Sequence, residues 1–153
     1  MTIRTFFVAT VALSISATSG IQAQTMTKEQ LPKAVVSAFE KAYPSATLKS
    51  ASREKNGGKT CYELESMDGA QSRDIIYAAD GTVIEIEESV TPASLPASVA
   101  QALSTHFPNA PIKKAEKLIR GAVVEYEVVT TVGKQNNEVI MDEKGKILKV
   151  KKA

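Results

Sequence analysis

Carboxylates are the side chains of this 153-residue sequence that are both numerous and regularly spaced. Several short segments carry them at alternate positions: Glu63 and Glu65, Glu85 and Glu87, Glu125 and Glu127, with Asp74 and Glu138 on segments between these. Paired carboxylates can act as general acid and base when a cleft drives their pKa values apart, and they can also bind a cation or a basic partner. The same alternation is typical of the solvated face of a sheet, so both interpretations stay open.

Other catalytic side chains are scarce, since the chain has 1 His and 1 Cys. A zinc site or a catalytic triad needs more ligands or partners than these two residues supply. No loop has oxygen ligands at EF-hand spacing. We therefore predict that the protein is not an enzyme and that it has no cofactor and no metal site. The formal charge of +2 also argues against nucleic acid as a partner.

The N-terminal segment has the pattern of a secretory signal peptide. Arg4 precedes an apolar run from Phe6 to Ile15, and small residues lead to Ala23. The run is shorter than the about 20 residues that a membrane span needs. We expect a signal peptide at residues 1–23, a periplasmic or secreted product, and no membrane span.

The rest of the sequence repeats itself at a constant offset of 64 residues without a gap. The identical pairs include Leu31/Leu95, Pro32/Pro96, Val35/Val99, Pro44/Pro108, Tyr62/Tyr126, Glu63/Glu127, Gly69/Gly133 and Gly81/Gly145. Apolar positions and turn positions keep the same register, which predicts a tandem duplication. We expect a first repeat at residues 24–89, net acidic, and a second at residues 90–153, net basic, in one compact unit.

Each repeat is predicted to fold as one helix followed by about four strands. In the first, Thr27 caps a helix with Pro32 in its first turn, and Pro44 ends that helix. The strands are expected at about 48–55, 59–67, 71–78 and 82–88, because Gly-containing turns separate them. Alternation points Leu64, Ile75 and Tyr77 toward the core. The predicted class is α+β, with both helices packed on one face of a shared antiparallel sheet of about eight strands.

These units resemble the PepSY-like, beta-lactamase-inhibitor-like family. The resemblance rests on the repeated pattern Leu-Pro-x-x-Val, then Tyr/Phe-Pro, Tyr-Glu and Asp/Lys-Gly, and it extends from about Leu31 to Lys152. It implies a non-enzymatic module with helices on a concave sheet. Related domains occur in inhibitors of secreted hydrolases and in peptidase propeptides, so the implied partner is an exported protein such as a hydrolase.

The resemblance thus implies an exported protein-binding module that inhibits or restrains a periplasmic hydrolase or peptidase. Binding is expected through the open sheet face and the hairpin loops at about 54–60, 67–71 and 120–122. The candidate residues are Glu63, Glu65, Asp68, Asp74 and Glu127, with Asp68 at a hairpin tip. The alternative is a small-ligand or cation-binding envelope module that uses the same acidic face.

Cys61 has two interpretations, a small strand residue or a thiol that forms a redox or intermolecular disulfide. Its counterpart in the second repeat is Glu125, so we expect Cys61 to face water. A dimer formed through Cys61 therefore stays open.

Overall fold

The computed structural model describes residues 24–152, so the segment interpreted as a signal peptide lies outside the described residues. These residues form one antiparallel sheet whose strands lie side by side in their order along the chain. The strands are β1 (Gln24–Thr25), β2 (Thr47–Asn56), β3 (Lys59–Asp68), β4 (Gln71–Ala78), β5 (Val83–Ser89), β6 (Ile112–Arg120), β7 (Val123–Val132), β8 (Gln135–Asp142) and β9 (Ile147–Lys152). The helices are α1 (Lys33–Ala42) and α2 (Ala97–His106).

The sheet has one strand more than the eight that the sequence predicts. The additional strand, β1, is two residues long and pairs with β2 through Gln24 opposite Arg53 and Thr25 opposite Ser52. Two residues are too few to show the alternation by which a strand is recognised. The other eight strands agree with their predicted positions to within a residue or two at each end.

The first helix begins later than predicted. Thr27 precedes a separate 3₁₀ turn, Lys28–Gln30, and its backbone N–H donates to Oε1 of Gln30 over 2.8 Å. Leu31 is extended, at φ −70° and ψ 149°, because a residue before proline avoids the helical region. Pro32 is therefore the N-cap of α1 rather than a residue in its first turn, and α1 ends before Pro44 as predicted.

Each helix packs on the strands of its own repeat. In the first repeat, Val35 and Phe39 of α1 form a buried cluster with residues of β2, β3 and β4, namely Ala51, Leu64, Ile75 and Tyr77. In the second, Val99 and Leu103 of α2 do the same with Ala115, Tyr126, Val128, Val139 and Met141. The predicted core positions Leu64, Ile75 and Tyr77 are thus confirmed.

The repeats meet through direct pairing of β5 with β6. This pairing runs from Ile86 opposite Ile119 to Ser89 opposite Glu116. The connection between them contains a second 3₁₀ turn, Pro92–Ser94, and the N–H of Val90 donates to the carbonyl of Ala115 over 2.9 Å. The hydrogen-bonded sheet is therefore continuous across the boundary between the repeats.

Candidate functional site

Many carboxylates lie on the side of the sheet opposite to the two buried clusters, at the strand positions between the core residues. Direct cross-strand pairs continue this set from one strand to the next: Glu65 opposes Asp74, Asp74 opposes Glu87, and Glu116 opposes Glu127. We call this side of the sheet the carboxylate face. Its acidic residues come from the seven successive strands β2 to β8 and are Glu54, Glu63, Glu65, Asp74, Glu85, Glu87, Glu116, Glu125, Glu127, Glu138 and Asp142.

Four of the five predicted binding residues, Glu63, Glu65, Asp74 and Glu127, lie on the carboxylate face. The fifth, Asp68, is the last residue of β3. It lies an even number of residues from the core residue Leu64 and therefore on the opposite side of the sheet from the other four. It accepts a hydrogen bond from Oγ of Ser45 over 3.4 Å and lies 3.8 Å from Arg73. Whether any of these residues binds a partner stays a prediction.

Some of the carboxylates are neutralised by cations on the same face. Arg120 bridges the repeats, because it donates to both oxygens of Glu85 on β5, over 2.7 and 2.9 Å, and to Glu125 on β7 over 2.7 Å. Lys151 contacts Glu138 over 2.8 Å, and Lys114 contacts Glu116 over 2.8 Å. Bidentate arginine pairs such as that with Glu85 are among the stronger ionic contacts in proteins.

Other carboxylates have no such partner. Within residues 24–152, the side chains of Glu65, Asp74, Glu87 and Glu127 make no hydrogen bond and no ion pair. Asp74 and Glu87 oppose one another across β4 and β5, although like charges at directly opposed positions destabilise a sheet. The middle of the face therefore has excess negative charge that contacts within residues 24–152 do not balance.

The first consequence of this crowding is a raised pKa for the carboxyls of β4 and β5. Burial, together with the charges of Glu116, Glu85, Glu127 and Asp74, raises the pKa of Glu87 to about 8. Burial and the charges of Glu65 and Glu116 raise the pKa of Asp74 to about 6, against a smaller lowering effect of Lys114. Both groups therefore exchange protons near neutral pH.

The two glutamates that occupy the same position in the two repeats behave alike. Burial and the charge of Glu54 raise the pKa of Glu63 to about 7. Burial and the charges of Glu138 and Glu116 raise the pKa of Glu127 to about 7. A cation that settled among these groups would stabilise their ionised forms and release protons.

The expectation that Cys61 faces water is wrong. Cys61 points to the carboxylate face but is a free thiol with 2% of its surface exposed. Burial and the charges of Glu54 and Glu63 raise the pKa of this thiol, which keeps it in the less reactive protonated form. The structure therefore does not support a dimer formed through Cys61.

Two members of the face, Glu116 and Lys114, did not emerge from the sequence, and Arg120 was predicted only as part of the binding loop 120–122. The repeat comparison gives no hint of them, because their counterparts in the first repeat are Ser52, Ser50 and Asn56. The local pattern does contain a signal for two of them, because the charged Lys114 and Glu116 lie on either side of Ala115, in phase with β7. In residues 24–152, no three acidic, histidine or cysteine side chains are arranged to hold a metal ion.

The repeated sequence pattern matches a known family. The sequence profile of the PepSY-like family, provisionally described as beta-lactamase-inhibitor-like, matches residues 19–85 and again residues 60–149. The chain belongs to the PepSY-like family. The resemblance inferred from the repeated motif is thereby confirmed. A search of curated proteins finds no match.

Solved structures share the fold of this PepSY-like chain. A BLIP-like protein from Bacteroides fragilis superposes with a TM-score of 0.65 at 20% identity, covering 80% of this chain and 86% of that one. A protein from Bacteroides eggerthii, provisionally described as periplasmic, gives 0.69 at 14% identity, covering 80% and 88%. A DUF2874 family protein from Bacteroides uniformis gives 0.67 at 12% identity, covering 79% and 88%. At these identities the likeness concerns the fold alone.

In the part of the chain that the structure describes, neither helix has the length and apolar character required to cross a membrane.

Proposed function

We propose that this protein is an exported, non-enzymatic binding module that holds a basic protein partner on its carboxylate face. The observation that carries the proposal is the set of unpaired carboxylates on neighbouring strands, above all Asp74 opposite Glu87. Natural sheets avoid opposed like charges unless something offsets their repulsion. A partner with lysines or arginines would supply the missing countercharge.

The arrangement of the helices supports this use of the sheet. Both helices contribute residues to the buried clusters, which lie on the alternation opposite to the carboxylates. We propose that the helices cover that other face, so that the carboxylate face stays available to a partner. A preformed surface needs little ordering when it binds, which favours affinity. Complementary charge would also speed the encounter with a basic partner and make it sensitive to salt.

Restraint of an exported hydrolase is the consequence that we propose for this binding. Support comes from the beta-lactamase-inhibitor-like description of the family and from the BLIP-like protein of similar fold. The signal-peptide pattern of residues 1–23 and the periplasmic description of the Bacteroides eggerthii protein support export. An inhibitor needs no catalytic side chain, only a surface that covers the active site of the enzyme.

The test compares capture by three forms of the purified protein. The wild type, the Glu87→Lys variant and the Glu143→Gln variant are immobilised and exposed to an envelope extract of the source organism at low and high salt. Glu143 is an exposed carboxylate outside the carboxylate face, so its variant controls for loss of an acidic residue elsewhere.

We expect the wild type and Glu143→Gln to retain the same basic protein and Glu87→Lys to lose it. With that protein purified, affinity should fall at least about tenfold for Glu87→Lys and in high salt. Assay of its hydrolytic activity with and without the module then tests inhibition. Equal capture by all three forms, or binding that is indifferent to salt, would contradict the proposal.

A cation or small ligand on the same face is the second candidate, favoured by the half-buried acidic pair Asp74 and Glu87. Here the purified protein alone should melt at a higher temperature in calcium or magnesium chloride, and Glu87→Lys should remove the increase. A melting temperature that does not respond to either salt beyond an ionic-strength control excludes this candidate.

A further inference from the structure

Two buried carboxylates face each other at the centre of the sheet. Glu116 on β6 and Glu127 on β7 are direct cross-strand partners. Only 4% of the surface of Glu116 and 3% of the surface of Glu127 are exposed. Glutamate is almost never buried to this extent unless it is paired. Their position is therefore the strongest polar anomaly of the carboxylate face.

The donors around this pair do not satisfy it. Oε1 of Glu116 contacts Nζ of Lys114 over 2.8 Å, but Oε2 is buried and has no hydrogen-bond partner. Glu127 makes no hydrogen bond and no ion pair anywhere in the described chain. A buried carboxylate oxygen without a donor carries a large desolvation cost. This pair of side chains is thus arranged to accept hydrogen bonds that residues 24–152 do not supply.

A third glutamate extends the pair into a row. Glu87 on β5 opposes Leu118, two residues from Glu116, while Ser89 opposes Glu116 itself, so Glu87 and Glu116 are diagonal neighbours. Direct cross-strand neighbours lie about 5 Å apart and diagonal neighbours about 7 to 8 Å apart, so the three backbone positions span about 12 Å. We call Glu87, Glu116 and Glu127 the triple-glutamate row. Asp74 and Glu138 flank it, and the cations nearest to it are Lys114 and Lys151.

We propose that the triple-glutamate row binds one guanidinium group, the side chain of an arginine that the partner presents. This inference rests on the proposed function and names the chemistry of its central contact. A guanidinium is planar, carries five N–H donors in a fixed fork, and is less strongly hydrated than an ammonium group. Oε2 of Glu116 is buried in this structure, so binding requires the Glu116 side chain to turn outward; one guanidinium could then donate to Glu116 and to Glu127 at the same time.

The first repeat supplies a natural control for this site. Glu63 occupies there the position of Glu127, and Ser52 occupies the position of Glu116. Oγ of Ser52 donates to Oε2 of Glu63 over 3.3 Å, so this pair is satisfied within the sheet. A ligand that recognises the row should distinguish the two repeats, although the backbone register is the same.

The experiment uses purified protein whose glutamate side-chain carboxyls are labelled with ¹³C. N-acetyl-L-arginine amide is added stepwise, and NMR records the chemical shifts of the labelled carboxyls. N-acetyl-L-citrulline amide, of the same shape but neutral, is the control ligand, and calcium chloride is titrated separately. We expect saturable shifts at Glu116 and Glu127 with the arginine probe only. Glu127→Gln and Glu116→Gln should weaken the probe at least about tenfold, and the matched control Glu63→Gln less than about twofold.

Three results would overturn the inference: shifts with citrulline equal to those with arginine, an equal loss of affinity in Glu63→Gln, or saturation by calcium in place of arginine. The outcome is separable from that of the proposed function. Capture of a basic protein that Glu87→Lys weakens, with no selective response to the arginine probe, would leave the proposed function standing and remove the arginine site. The opposite pattern would keep the site and remove the protein partner.

Discussion

The last strands of the two repeats occupy equivalent positions and carry opposite charges. On β5, Glu87 opposes Asp74, and no cation contacts either side chain in the described chain. On β9, Lys151 takes the position of Glu87 and opposes Glu138, with Nζ 2.8 Å from Oε1. The backbone register is the same, yet one cross-strand pair repels and the other attracts.

The difference follows from where each strand lies in the sheet. β9 is an edge strand, and lysines on an edge hinder pairing with a second copy of the chain. β5 is an interior strand whose second side is already paired with β6, so it has no need of such protection. The interior position of β5 thus tolerates carboxylates, whereas the edge position of β9 favours lysines.

The largest effect that can test the similarity of the repeats concerns their equivalent glycines, Gly81 and Gly145. A Cβ on Gly145 would lie 2.3 Å from the carbonyl oxygen of Ser98 in α2, and its φ is +79°. We expect Gly145→Ala to lower the free energy of unfolding by about 3 to 4 kcal/mol, since strain and clash add. Gly133→Ala, at φ +61° with nothing near its Cβ, should lower it by about 1 kcal/mol.

Urea denaturation measures both values, and Gly81→Ala should resemble Gly145→Ala, because its Cβ would lie 2.7 Å from the carbonyl oxygen of Ala34 in α1. If Gly133→Ala and Gly145→Ala lowered the free energy of unfolding by similar amounts, the clash between the turn and α2 could not be the cause of the destabilisation by Gly145→Ala.

The next effect concerns Arg120, which connects the repeats and whose counterpart is Asn56. Replacement by glutamine would leave Glu85, 8% exposed, without its countercharge. We expect Arg120→Gln to lower the free energy of unfolding by about 2 kcal/mol, because a buried carboxylate loses its partner. The double variant Arg120→Gln with Glu85→Gln should recover most of this loss in urea denaturation. Failure of that recovery would contradict an electrostatic origin.

A smaller effect is the pH dependence of stability. The pKa values of Glu63, Asp74, Glu87 and Glu127 are raised to about 7, 6, 8 and 7. The folded state therefore binds more protons than the unfolded state between the ordinary carboxyl pKa and about pH 8, so stability falls as pH rises through that window. Since Glu63, Asp74 and Glu87 are only half-buried and the four carboxyls interact with one another, we expect a total loss of about 1 to 2 kcal/mol.

Urea denaturation at about pH 5, 6, 7 and 8 measures this slope. A free energy of unfolding that rises across the same interval would contradict the crowding of carboxylates on this face. The affinity for a basic partner should change in the opposite direction and increase with pH, because the ionised carboxylates bind it.

The smallest effect comes from exchanging the charges of the two final strands. Glu87→Lys should give Asp74 a cationic neighbour and raise stability at about pH 8 by about 1 kcal/mol, the usual size of a cross-strand charge effect. Lys151→Glu should recreate the acidic pair next to Glu138 and lower stability by a similar amount. If the two variants changed stability in the same direction, the comparison of β5 with β9 would fail.

Much of the fold could be predicted because the local pattern of apolar, charged and turn residues indicates each helix and strand. Alternation placed Leu64 and Ile75 in the core and Glu63 and Asp74 on the other face, and the offset of 64 residues carried the pattern into the second repeat. The start of α1 could not be predicted from the cap residue Thr27, because a proline shortly after a cap permits a 3₁₀ turn followed by a new start.

The candidate site was only partly predictable, since its centre depends on the pairing of β5 with β6. That pairing brings Glu87 beside Glu116 across a connection that includes α2, and no local pattern fixes such a register. The burial of Cys61 was missed for a related reason. We expected Cys61 to be exposed because its counterpart in the second repeat, Glu125, is charged. That glutamate is instead held by Arg120, and the first repeat has Asn56 at the position of Arg120.

The order of the strands has a consequence for how the chain acquires its structure. Because each strand pairs with the one before it, a chain that emerges N-terminus first can add each strand to an edge that already exists. Neighbour-to-neighbour contacts of this kind favour fast folding, and no early strand must wait for the C-terminal end. Each strand from β2 to β8 leaves a free edge to which the next strand can pair, whereas the lysines of β9 hinder the pairing of a further strand with its free edge.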